Sequence, residues 1–135
     1  MSTPDGNRRR LRVLMTKAGL DAHERGINAV SLGLRDHGFD VILLPLRQNA
    51  GQVAAAAVQE DVDVVGVSSL AGGHLSFIRS LSAELGRHGA EPVLVVGGVI
   101  PAQDHPELRR LGVAEIFPAG SLVKDIAARL RELCG

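Results

Sequence analysis

Two stretches, "VDVVGVS" at 62–68 and "PVLVVGG" at 92–98, restrict the fold more than any other feature of this 135-residue chain. Each is a short, nearly unbroken apolar run rich in β-branched residues, with little polar alternation. A strand of that kind offers no face to water, so it must be covered on both sides. Related runs stand at "LRVLM" (11–15), "DVILL" (40–44) and "EIF" (115–117). Between them the apolar spacing becomes helical. Ile27, Val30 and Leu34 share a face, as do Leu75, Ile78, Leu81 and Leu85, and then Leu122, Ile126, Leu130 and Leu133. "GQVAAAAVQED" is helical by alanine propensity, and "HPELRRLG" is a short helix with Pro106 in its first turn and Gly112 as its stop. A strand–helix unit thus repeats five times with short connections. The expected architecture is α/β: a flavodoxin-like, doubly wound parallel sheet of five strands in the order 2-1-3-4-5. No linker or repeat interrupts it, so residues 11–135 read as one domain behind a disordered tail of residues 1–10.

Bulk properties remove several function classes. Fifteen basic and fifteen acidic residues cancel, which gives no electrostatic pull towards nucleic acid or an anionic membrane. The cluster Arg8–Arg10 reads as part of a solvated tail. Three Phe, with no Trp or Tyr, leave little with which to stack single-stranded bases. A lone cysteine, Cys134, provides neither an internal disulfide nor a thiolate metal cage. No apolar run reaches membrane-span length and no secretory h-region is present, so the expected location is cytoplasmic.

In open α/β sheets, ligands sit outside the carboxyl ends of the strands where strand order reverses. Here that point lies between the first and third strands. The connection after the first strand is "KAGLDAHERG" (17–26), that after the third is "SSLAGGH" (68–74), and that after the fourth begins "GGVIP" (97–101). All three fall on one edge. A dinucleotide site is disfavoured because G-x-G-x-x-G does not follow the first strand, and no P-loop signature occurs. A phospho-acceptor would want acids closing the first and third strands, yet Ser68 closes the third. Zinc could draw on Asp21, His23, His74 and His105, but the short H-x-x-x-H and H-E-x-x-H spacings are missing. The bland reading makes the histidines capping or solvent-facing groups and the glycines mere turns; it explains poorly why these oddities gather at one switch point.

"KAGLDAHERG", "VSSLAGGH" and "VVGGVIP" resemble the D-x-H-x-x-G, S-x-L and G-G motifs of cobalamin-binding domains. The similarity is closest to the C-terminal domain of methylmalonyl-CoA mutase and to the small subunits of related acyl-CoA mutases. It runs from Leu11 to the C-terminus, with "LGVAEIFPAGS" resembling the family's fifth strand and following turn. The resemblance implies that the dimethylbenzimidazole tail of cobalamin leaves the metal and that His23 takes the lower axial position. It further implies a relay in which Asp21 accepts from the His23 ring and Lys17 pairs with Asp21. Gly26 would let the displaced tail pass close to the backbone. Ser68 would hydrogen-bond the benzimidazole nitrogen, with Leu70 as an apolar wall. Gly97 and Gly98 would leave room beside the fourth strand, and Pro118, Ala119 and Gly120 would line the same slot. Ala22 departs from the family, which most often has glycine between the acid and the histidine.

By the same resemblance the cofactor is adenosylcobalamin and the reaction a radical carbon-skeleton isomerisation. Acyl-CoA mutases enclose their substrate in a (β/α)₈ barrel, which takes about 250 residues. A chain of this length reads as a small subunit, inactive alone, docking on a large barrel subunit, with a heterotetramer expected. Isobutyryl-CoA and 2-hydroxyisobutyryl-CoA mutases are split in this way. A methyl-transfer module would share the motifs but commonly adds a helical cap. A glutamate-mutase-type small subunit or a free cobalamin carrier or sensor are further alternatives.

Overall fold

The computed structural model describes residues 10–18, 25–70 and 72–135. Its strands are β1 (Arg12–Lys17), β2 (Asp40–Leu43), β3 (Val64–Ser69), β4 (Val93–Gly98) and β5 (Val113–Pro118). They alternate with α1 (Arg25–Asp36), α2 (Ala50–Gln59), α3 (His74–Arg87), α4 (His105–Arg110) and α5 (Val123–Cys134), and a 3₁₀ turn at Ala102–Asp104 precedes α4. The sheet is parallel throughout, in the order β2-β1-β3-β4-β5. This is the flavodoxin-like order expected from the periodicity.

Both faces of the sheet are covered, as unalternated valine runs require. Leu14, Val65, Val67, Leu94 and Val96 point to one side and pack with buried residues of α2, α3 and α4. Val13, Met15, Val64 and Val95 point to the other and pack with residues of α1 and α5. Local signals set the helix ends. Asn49 and Gln52 form a reciprocal capping box at the start of α2, both bonds 2.8 Å long. Pro106 occupies the first turn of α4, and Gly112, with φ +107°, follows its end.

One expectation fails. Leu122 does not join the buried face of the last helix but stands 59% exposed at its N-cap, in extended backbone. The helix begins one residue later, and Val123 packs instead against the α1–α5 core. Gly33 makes that approach possible, since a Cβ there would lie 2.7 Å from Val123 Cγ1. Among the described residues no helix is long and apolar enough to cross a membrane. The expected tail falls almost entirely on residues 1–9, outside the described residues.

Candidate functional site

The switch point is physically marked. β1 and β3 are neighbours whose helices leave to opposite faces, and Lys17 lies in register with Ser68 where both strands end. Backbone bonds carry the ladder just past the strand ends: Ala18 N to Ser68 O at 3.0 Å, Val99 N to Ser69 O at 3.0 Å and Ala119 N to Gly98 O at 3.1 Å. The carboxyl ends of four strands therefore form one continuous rim.

Beneath that rim, between the sheet and the pair α1–α5, runs a cavity of about 230 Å³. It reaches from Leu70, Gly98 and Gly120 at the rim down to Val13, Leu34 and Leu130. Among the described residues its lining contains no charged residue, and only Ser68 and Ser121 bring a polar side chain. Ser121 Oγ already donates to Pro118 O at 2.6 Å within its own turn. Among the described lining residues, the hydroxyl of Ser68 is thus the polar side-chain group left to face a guest. Such a slot suits a flat, mostly apolar group with a single hydrogen-bonding atom.

Of the residues singled out from sequence, Gly26, Ser68, Leu70, Gly97, Gly98, Pro118, Ala119 and Gly120 all line this cavity. Lys17 does not; it is buried, 3% exposed, and its Nζ lies 3.4 Å from Ser68 Oγ. Asp21, His23 and Ala22 lie outside the described residues. The two neighbouring glycines differ in kind. Gly97 shares a register with Ser68 and Phe117, and a Cβ added to it would meet only ordinary contact, 3.6 Å from Phe117 O. Gly98 has φ +115°, and its Cβ would stand 2.1 Å from Ser69 O. Glycine at 98 is thus demanded by the backbone, whatever the cavity holds.

Ser69 faces away from the slot: it is fully buried, does not line the cavity, and its hydroxyl contacts Gly72 O at 3.4 Å. Sequence reasoning missed Met15, Gly66, Val95 and Phe117, which form the sheet side of the slot. Gly66 was discoverable, because an isolated glycine within a strand marks close approach. A Cβ at 66 would sit 2.9 Å from Met15 Sδ, so the glycine makes room for the methionine at the slot floor.

Among the described residues the histidines do not gather. His74 is buried, with Nε2 2.8 Å from Asp104 Oδ2 and no partner for Nδ1. His105 Nε2 approaches only Ile100 O, at 3.4 Å. Among the described residues no group of three His, Cys, Asp or Glu is placed to hold a metal ion. Cys134 is a half-buried free thiol whose pKa is pushed up by burial, helped by the negative charge of Asp63.

A family model described as the B12 binding domain matches residues 11–127. The methylmalonyl-CoA mutase large subunit of Propionibacterium freudenreichii subsp. shermanii is 46% identical over 123 residues, covering 90% of this chain and 17% of that protein. The chain thus spans about a sixth of the length of that curated relative. A cobalamin-binding protein from Desulfitobacterium hafniense DCB-2 superposes with a TM-score of 0.79 at 18% identity, covering 93% of this chain and 60% of that one. A redox sensor of the streptococci, evolved from two-component response regulators, superposes at 0.70 with 16% identity, covering 91% and 50% of the two chains. These two structural likenesses are likenesses of fold alone.

Proposed function

The chain belongs to the B12-binding domain family, and from that premise we propose that it is the cobalamin-holding subunit of an adenosylcobalamin-dependent acyl-CoA mutase, binding the cofactor with its dimethylbenzimidazole tail displaced from the metal. The observation that carries the reading is the apolar slot and, among its described lining residues, the single available hydroxyl of Ser68. A displaced benzimidazole is flat, largely apolar and has one ring nitrogen in need of a donor. Gly97 fits the same guest, since a side chain there would project from the slot face of β4 into the space. Among the described residues, apart from its chain neighbours and its own helix backbone, nothing lies within 4 Å of where a Cβ on Gly26 would stand.

Each residue then has a physical task. His23 would hold the cobalt through a neutral ring nitrogen, and Asp21 would accept a hydrogen bond from the other ring N–H, fixing tautomer and orientation. A buried ammonium such as that of Lys17 calls for an anionic partner, and the relay gives that part to Asp21. Ser68 donates to the benzimidazole nitrogen, with Leu70 as the wall beside it. Pro118, Ala119 and Gly120 close the slot on the β5 side, where Gly120 turns with φ +87°. Bound adenosylcobalamin supplies homolysis of its cobalt–carbon bond; the chain supplies position and shelter.

The substrate in this reading is a branched or hydroxylated acyl-CoA, such as isobutyryl-CoA or 2-hydroxyisobutyryl-CoA. It is held by a large (β/α)₈-barrel subunit in a heterotetramer. Two facts support a partner. The chain corresponds to 17% of a mutase it resembles at 46% identity. Leu70, Val99 and Leu122 also stand 37%, 59% and 59% exposed on the connections after β3, β4 and β5, on the rim where a covering subunit would sit.

Electron paramagnetic resonance of the cob(II)alamin complex tests the ligation. A nitrogen splitting that changes on labelling histidine with ¹⁵N is expected, and is lost in His23→Ala. A spectrum indifferent to the label sinks the axial assignment. Isomerisation of the two acyl-CoA esters, assayed with and without a barrel subunit, tests the partner.

A further inference from the structure

Two of the connections at the rim above the slot are tied together by a side-chain pair to which the cofactor reading gives no part. His74 is the first residue of α3, and its Nε2 lies 2.8 Å from Oδ2 of Asp104, the last residue of the 3₁₀ turn after β4. Their side chains are 8% and 19% exposed. Upstream of His74 the chain runs back through Gly73 and Gly72 to Leu70 and Ser68. Upstream of Asp104 it runs back through Pro101 to Gly98 and Gly97. The same two connections also meet where the strands end, through Val99 N to Ser69 O at 3.0 Å. Both segments are thus pinned twice, once by backbone at the strand ends and once by His74–Asp104 at the helix starts.

We infer that His74–Asp104 is a positioning clasp, which fixes the spacing of the β3 and β4 connections and thereby the placement of Leu70 and Gly98 at the rim of the slot. It rests on the cobalamin reading and acts through Ser68, Leu70, Gly97 and Gly98, without touching the cofactor. Three observations carry it. First, α3 and α4 have other ties, from Ser82 Oγ to Leu111 O at 3.0 Å and from Arg79 to Glu107 at 3.6 Å, so their packing does not depend on the pair. Second, the His74 ring keeps a buried Nδ1 with no partner. An unsatisfied buried nitrogen works against stability, and an apolar side chain would fill the space at lower cost. What a histidine adds here is the bond to Asp104. Third, that bond is short and directional: the carboxylate can only accept, so Nε2 carries the proton and donates it. A directional bond fixes distance in a way that apolar contact between two loops does not.

His74→Phe keeps a ring and removes the donor; His74→Gln restores an amide donor; Asp104→Ala breaks the clasp from the other, more exposed side. Amide hydrogen exchange is followed in cofactor-free protein at residues 69–73 and 98–104, beside titration with hydroxocobalamin and thermal unfolding. Loss of one such bond is expected to speed exchange in both segments and to weaken cobalamin binding by about tenfold each, while exchange in β1 and α5 is unchanged. His74→Gln should recover most of both effects, which a general loss of stability would not allow. Unchanged exchange in both segments for Asp104→Ala and His74→Phe overturns the clasp, whether or not the protein binds cobalamin. Faster exchange with wild-type affinity overturns its action on the slot. Wild-type protein that binds no cobalamin would instead remove the cofactor reading, and exchange alone then decides whether the two connections are clasped.

Discussion

Lys17 Nζ lies 3.4 Å from Ser68 Oγ, joining the last residue of β1 to the slot face of β3 across the switch point. A hydroxyl can accept and donate at once. With the ammonium on its oxygen, Ser68 keeps its O–H for whatever fills the slot. Ser68→Val should therefore lower cobalamin affinity roughly tenfold or more, since a buried ring nitrogen left without its donor costs about 1–3 kcal/mol. The fold should survive with a modest drop in melting temperature. Ser69→Ala, altering a hydroxyl on the opposite face of the sheet, should bind as the wild type does. Equal affinity of all three proteins would reduce Ser68 to a strand-end residue.

Gly97 and Gly98 are adjacent yet answer to different constraints, and alanine separates them. Gly98→Ala places a Cβ 2.1 Å from a backbone oxygen in a left-handed conformation. It should destabilise the fold by more than the about 1–3 kcal/mol of backbone strain alone. Gly97→Ala meets only ordinary contact, so its melting temperature should stay near wild type. Its methyl enters the slot, and cobalamin affinity should fall. Thermal unfolding and titration of both variants check this; a stable Gly98→Ala, or a Gly97→Ala that binds normally, would contradict it.

The fold was legible because buried strands and amphipathic helices leave periodic signatures in a single sequence. The valine runs of β3 and β4 dictated two covered faces, and the repeated strand–helix units pointed to a doubly wound sheet, of whose common orders the flavodoxin-like one is found. Leu122 was misplaced because helical spacing does not reveal which residue caps the helix. The rim residues Gly26, Ser68, Leu70, Gly97 and Gly98 were legible through motifs that lie on connections. The slot floor was less so: Met15, Val95 and Phe117 look in sequence like any core residue, and only the gap between the sheet and α1–α5 distinguishes them. The His74–Asp104 pair was invisible for a different reason. Thirty residues separate the partners, and no local pattern announces a bond formed across two neighbouring loops.

Glu115 on β5 gives the fold an acid-sensitive contact away from the slot. Its carboxyl is held below the usual value of 4.5 chiefly by the hydrogen bond from Arg129, against the opposing effect of burial, with Arg109 adding a weaker attraction. A carboxyl depressed on folding stabilises the native state above the unfolded pKa and loses that stabilisation as pH falls through the folded value. Glu115→Gln should therefore melt lower than wild type at neutral pH. The gap should close below about pH 4. Both arginines are largely exposed, so the gap should also shrink in high salt. A gap of the same size at neutral and at strongly acid pH would show that packing, not charge, is what the substitution removed.

In the proposed ligation, Asp21 would decide whether an axial His23 is merely present or actively held. If His23 ligates cobalt, protons and the metal would compete for the same nitrogen, because a metal ligand must be neutral. The charge of Asp21 would favour the protonated ring and so oppose ligation, whereas a hydrogen bond from the ring to Asp21 would orient it and make the free nitrogen a better donor. Asp21→Asn keeps an acceptor oxygen but discards the charge. If proton competition dominates, the variant binds cobalamin as tightly as wild type at neutral pH and holds it to lower pH. If orientation and basicity dominate, the variant binds about 10–100-fold more weakly at neutral pH, the range typical when the partner of a metal-bound histidine is lost. The second outcome is expected, since a histidine ligand is almost always held through its other ring nitrogen. Titrations of both proteins from mildly acidic to neutral pH distinguish the two, and equal or tighter binding by the Asn variant at neutral pH would remove Asp21 from the relay while leaving His23 as ligand.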